Sequence, residues 1–255
     1  MTPRVIAVDW SGRKSGAEKH IWLAEVVHGS LIRLKNGLSR DKLVDHLIDN
    51  AKSNTPLIVG LDFAFSFPAW FVTQHGCSSA REFWTVVEQK GEQWLSACPF
   101  PFWRRKGAER PDREKRFRRT EHELPNWAYP KSVFQIVGRG QVGPSSLRGI
   151  PVLRRLREAG FSIWPFDRPA RPRVVEIYPR LFTREVNKSS LEQRAKFLAE
   201  HFSALSDSDR EKAASNEDAF DAAVSALMMV RHVDELVSLT QTDDSQLRLE
   251  GKIWY

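Results

Sequence analysis

This sequence predicts an α/β fold. A mixed sheet is expected, opening with a three-stranded antiparallel meander, continuing with parallel strands, and flanked by helices. Three observations carry that expectation. Short apolar runs rich in β-branched residues stand at Val5–Val8 and Leu57–Leu61, as strands buried on both faces require, and Arg173–Pro179 reads as a further strand. Stretches with helical apolar spacing separate them, and residues 68–168 interrupt the alternation with aromatics, Pro and Arg.

Taken in order, Val5-Ile6-Ala7-Val8 is the first strand, and it ends at Asp9 before a Ser11-Gly12 turn. Ile21–Val27 reads as a second strand, turned by His28-Gly29-Ser30 into a third at Leu31–Leu34. Ser39 is a good N-cap for a helix from Arg40 to about Ala51, with Leu43, Leu47 and Ile48 on one face. Pro56 resets the chain before Leu57–Leu61, which ends at Asp62. From Pro68 to Arg168 the pattern is too long for a plain loop. It reads as an insertion folded onto the sheet, with helical periods around Ala80–Leu95 and Pro151–Glu158. Regularity returns with the strand through Glu176, stopped by Pro179. Helices follow at Ser190–Leu205, with Leu191, Ala195, Leu198 and Phe202 in register, and from a Ser215 cap to about His232. The tail Glu250-Gly251-Lys252-Ile253-Trp254-Tyr255 suits a short closing strand. The whole is expected to be a single domain over residues 1–255 with the insertion at 68–168.

Composition narrows the classes. Apolar residues make up 41% and charged residues 28% of the chain, ordinary for a soluble globular protein. Cys77 and Cys98 form no framework, which suits a reducing compartment. The run after Arg4 is too short for a signal peptide, and no stretch has the ~18 apolar residues of a membrane span. A cytoplasmic location is the expectation. The net charge of +7 is concentrated. Between Arg104 and Arg119 stand Arg104, Arg105, Lys106, Arg110, Arg113, Lys115, Arg116, Arg118 and Arg119 against three acids, a local +6. Such concentration points to a polyanionic partner. Phe102, Trp103 and Phe117 interleave with the run, as stacking on unpaired bases would need.

The chemistry-bearing residues are acids. Asp9 and Asp62 each end a buried strand, where a carboxylate is costly unless its charge is compensated. Glu176 lies inside another strand, and Asp218 and Asp221 share one face near the start of a late helix. If the strands are neighbours, the acids converge, and crowded carboxylates repel unless a hard divalent cation binds. Oxygen-only ligands favour Mg²⁺ or Mn²⁺. Two such ions roughly 3.5–4 Å apart activate water and stabilise the leaving oxygen of a phosphodiester. Structural roles stand beside this one. Asp218 completes a capping box with Ser215, Asp9 and Asp62 can cap their own turns, and Glu176 can pair with an arginine of the insertion. Gly138-Arg139-Gly140-x-x-Gly143 has dinucleotide-fingerprint spacing without the strand–helix context, and reads only as a phosphate-contacting loop. The seven histidines are scattered without zinc-ligand spacing, and Ser11 lacks a nucleophile-elbow context.

An acid ending the first meander strand, another ending the strand after the first helix, and a late Asp-x-x-Asp together resemble the ribonuclease-H-like superfamily. Its Holliday-junction resolvases share the late paired acids. More closely, Val5–Gly12, Gly60-Leu61-Asp62, Glu176-Ile177-Tyr178-Pro179, Glu217–Ala222 and Glu250-Gly251-Lys252-Ile253 resemble the family catalogued as domain of unknown function 429, predicted to contain nucleases. The resemblance implies a ribonuclease-H-like fold, and metal ligation by Asp9, Asp62, Asp218 and Asp221 with Glu176 additional or alternative. The family's Pro or Ala-Pro after the second acid is replaced here by Phe63–Pro68, which predicts a differently shaped pocket beside Asp62.

The leading expectation is therefore a metal-dependent nuclease, in which these five acids are catalytic and the Arg104–Arg119 run holds nucleic acid. A non-catalytic nucleic-acid-binding module is the alternative. An actin-like phosphotransferase comes third, because only Ser11-Gly12 supplies one of the phosphate-binding turns it needs.

Overall fold

A computed structural model describes residues 2–104, 109–138 and 141–255. β1 (Arg4–Asp9) pairs antiparallel with β2 (Trp22–Val27), and β2 pairs antiparallel with β3 (Ser30–Lys35). α1 (Arg40–Ala51) starts where expected, because the Ser39 hydroxyl accepts from the Lys42 amide at 3.3 Å. β4 (Leu57–Leu61) then returns parallel to β1, with Val8 opposite Leu61.

The insertion carries α2 (Ala69–Gln74), α3 (Ala80–Ala97), α4 (Arg113–Arg116), α5 (Arg119–His122) and α6 (Gly143–Glu158). Its aromatic rings share one core with the sheet. Phe67, Phe71, Phe83, Phe102 and Phe134 interlock, with Phe71 and Phe134 centroids 5.1 Å apart. The second insertion helix begins eight residues earlier than Pro151, at Gly143, with Pro144 in its first turn, where a missing N–H costs nothing.

After the insertion come β5 (Ser162–Ile163), β6 (Arg173–Ile177), α7 (Pro179–Thr183) and α8 (Leu191–His201). α9 (Asp207–Ala214), α10 (Glu217–Arg231), α11 (Val233–Ser238), α12 (Ser245–Glu250) and β7 (Ile253–Trp254) complete the chain. α8 stops short of Leu205 and leaves Leu191 exposed, and a separate α9 fills the interval. The cap of α10 is Asn216 rather than Ser215: its side-chain oxygen accepts from Ala219 N at 2.9 Å.

The strands form a mixed sheet of order β3-β2-β1-β4-β6-β5, with β7 also on β6. β5 pairs the start of β6 and β7 its end, both parallel and on the edge away from β4. This antiparallel-plus-parallel arrangement is consistent with a ribonuclease-H-like fold. Strand pleating divides the core in two. Ile6, Val8, Val59, Leu61 and Val174 face the insertion, whereas Val5, Ala7, Ile58, Val175 and Ile177 face α10. The small side chains of Ala219, Ala222, Ala223 and Ala226 let α10 lie close, as its composition suggested. The approach is so tight that a Cβ at Gly60 would stand 2.6 Å from the Met229 sulfur. Among the described residues no helix is long and apolar enough to cross a membrane.

Candidate active site

The parallel pairing of β1 and β4 brings the first two acids together. The Asp62 amide donates to the Val8 carbonyl at 3.1 Å, so Asp9 and Asp62 leave adjacent strands at the same level. Each carboxylate therefore lies in the field of the other. Burial, with the charges of Asp62, Asp221 and Asp218, pushes the Asp9 carboxyl well above the usual carboxylate range. Asp62 is pushed up to about 8, first by burial and then by Asp221 and Glu176.

The start of α10 supplies the other pair. Asp218 sits at the mouth, 38% exposed, with Nδ1 of His20 at 3.3 Å from one oxygen. Because Asn216 caps the helix, Asp218 is not half of the capping box its spacing suggested. One turn deeper, the Asp221 side chain is 14% exposed. Lys188 Nζ, from the α7–α8 loop, donates to its Oδ2 at 2.6 Å, while its Oδ1 is buried without a partner. Burial raises the Asp221 carboxyl against the pull of that lysine.

Glu176 is placed differently. It pairs with Leu61 across the β4–β6 ladder, and so belongs to the opposite face of the sheet from Asp9 and Asp62. Arg118 grips both of its oxygens, and the Phe65 amide donates to Oε2 at 2.9 Å. Arg118 also bonds Glu121 and the Glu250 carbonyl. Of the sequence alternatives, pairing with an arginine of the insertion is the one this geometry realises. Glu176 shapes the field at Asp62 but has no oxygen free of that network.

The basic run divides in the same way. Arg118 is fully buried, with its guanidinium engaged by Glu121, Glu176 and the Glu250 carbonyl. Arg119 is engaged with Glu123 and Asp244, and Arg104 with the carbonyls of Leu95 and Ser96. Arg110, Arg113 and Lys115 are exposed and Arg116 is half-buried. Arg105 and Lys106 lie outside the described residues, as do Arg139 and Gly140 of the Gly-rich stretch. Phe102 and Trp103 are buried in the core, so they are not stacking platforms.

A cleft of about 360 Å³ opens over the carboxyl ends of the strands. Asp9, Asp62 and Asp218 line it, with Lys131, Ser145 and Tyr178 among the opposing residues. Phe63, which stands where the family pattern has proline, walls it against Trp10 at 5.0 Å between ring centroids. Sequence reasoning missed Lys188 and Lys131. Each is a single lysine without a motif, and only the fold brings it to the acids or the cleft.

A hard divalent cation fits this donor set by chemistry. The ligands are oxygens, their charges are crowded in a desolvated place, and one buried Asp221 oxygen is unsatisfied. Among the described residues, no three His, Cys, Asp or Glu side chains already close on one point as a cage.

The family model for proteins of unknown function DUF429 matches residues 2–244, and the chain belongs to that family. No curated protein and no solved structure gives a significant match.

Proposed function

We propose that this DUF429 protein is a metal-dependent nuclease of the ribonuclease-H-like superfamily, hydrolysing phosphodiester bonds of nucleic acid in the cytoplasm. The observation that supports it most is the crowding of Asp9 and Asp62, at the carboxyl ends of parallel strands and opening on a cleft, against Asp221 of α10. Uncompensated carboxylates in such a place destabilise the fold, and binding sites commonly retain such groups for their chemistry. In this reading Asp9, Asp62, Asp218 and Asp221 hold Mg²⁺ or Mn²⁺. A cation held there would supply a water of lowered pKa and charge stabilisation for the leaving oxygen. Asp218, the most accessible acid, faces the incoming phosphate with His20 holding its carboxylate. Among the described residues, Arg110, Arg113 and Lys115 are exposed on the insertion whose later residues line the cleft, and they are candidates for holding backbone phosphates.

The test is cleavage of labelled single- and double-stranded DNA and RNA with Mg²⁺ or Mn²⁺, comparing the wild type with Asp9→Asn. Metal-dependent cleavage by the wild type, lost in the folded variant, is expected. Equal turnover removes Asp9 from the chemistry. Salt-sensitive binding without a metal requirement or cleavage would instead mark a non-catalytic binding module.

A further inference from the structure

We propose that Lys188 is the built-in counter-ion of the acid cluster, and that a divalent cation loads the site by displacing its ammonium from Asp221. The proposal rests on the reading that these acids hold a metal, and it concerns what they hold beforehand.

The arrangement around Lys188 separates a fixed loop from a movable charge. The loop backbone is tied down on two sides. Arg194 donates to the Lys188 carbonyl and, through Nε, to the Ala214 carbonyl at 2.9 Å. The neighbouring Ser189 hydroxyl donates to Glu217 Oε1 at 2.8 Å, in the first turn of α10. Gln193 Oε1 accepts from the Asn187 amide at 2.9 Å. None of these bonds involves the lysine side chain. Its four-carbon stem can therefore change rotamer while the loop stays docked, and its 16% exposure marks a way out to solvent.

The ammonium is also an incomplete solution to the charge problem. It satisfies Asp221 Oδ2 but leaves Oδ1, on the same carboxylate, buried and unpartnered. A structural ion pair retained for stability has its remaining lone pairs satisfied; this one does not. A single positive charge serves Asp221, Asp9 and Asp62, its field reaching the last two as well as its direct partner. A divalent ion brings twice the charge and accepts several oxygens at once, so exchange is favourable where the cation is abundant. Without Lys188, the empty site would carry its repulsion unrelieved. With it, the protein tolerates the empty state and sets a threshold for metal.

Two measurements test this on the full chain. Calorimetric titration of Mn²⁺ compares the wild type with Lys188→Met and Lys188→Gln, each first checked for a cooperative melt. Both neutral variants should bind Mn²⁺ at least about tenfold more tightly, since a competing unit charge at contact distance has been removed. In the wild type, acetylation of Lys188 by acetic anhydride, read by mass spectrometry, should rise several-fold on adding Mg²⁺. Mn²⁺ affinity equal to or weaker than wild type in both variants, or labelling of Lys188 unmoved by saturating Mg²⁺, overturns the displacement and leaves the metal reading of the acids standing. Absence of Mn²⁺ binding in the wild type and both variants overturns that reading along with this one. Binding in the variants alone supports the displacement in its strongest form.

Discussion

Asp62→Asn should stabilise the cation-free protein, and should do so more as pH rises. In the folded chain the Asp62 carboxyl is pushed up to about 8 from an ordinary 3.8. A carboxyl with a raised folded pKa binds more protons folded than unfolded. Its effect is therefore nil below the unfolded value, and stability is lost progressively as pH climbs from about 4 through about 8. Roughly four units at 1.36 kcal/mol each set a ceiling of about 5–6 kcal/mol. The amide removes the charge but is still a polar group buried in the same place, so about half of that ceiling is the expected gain. A gain of about 2–3 kcal/mol corresponds to roughly 4–10 °C in Tm for a chain of this size. The assay is thermal unfolding in EDTA at intervals from about pH 4.5 to 9. The two melting curves should converge at the acid end and separate in favour of the variant toward pH 8. Saturating Mn²⁺ should reverse the order, because only the wild type keeps the full ligand set. A separation that does not change with pH, or a variant less stable than wild type at pH 8 without metal, refutes the claim that crowded charge is what strains this site.

Two further outcomes follow from the same geometry. Arg118→Ala strands the buried Glu121 and Glu176 carboxylates and should destabilise the protein by about 3–5 kcal/mol in urea unfolding; adding Glu176→Gln should recover part of that loss, since a neutral amide needs no cation. Gly12→Ala should lower the melting temperature, with a cost of about 1–3 kcal/mol, because its Cβ would meet the Ser145 nitrogen at 2.3 Å and the Pro144 carbonyl carbon at 2.5 Å. Both are backbone atoms at the start of α6, so no side chain can rotate away to make room.

Much of the framework was legible in the linear chain because it is written in local periodicity. Val5–Val8 and Leu57–Leu61 are apolar at every position, which only a strand covered on both faces tolerates, and Ser39 marks the first helix by its own hydroxyl. The acids at the ends of those strands and on one turn of a late helix could likewise be singled out one by one. What the tertiary structure decided is which of them meet. Glu176 looks like the others in sequence, yet the register of β6 against β4 turns it to the far face and into the grip of Arg118. The basic run looks uniform, yet one member is buried and two of its neighbouring aromatics belong to the core. Lys188 carries no signal at all until a loop docked on α10 brings it to Asp221. Periodicity reports whether a residue is inside, but sheet register and loop docking are set by contacts between distant segments. A charge is therefore given its partner by the fold, not by its neighbours in the chain.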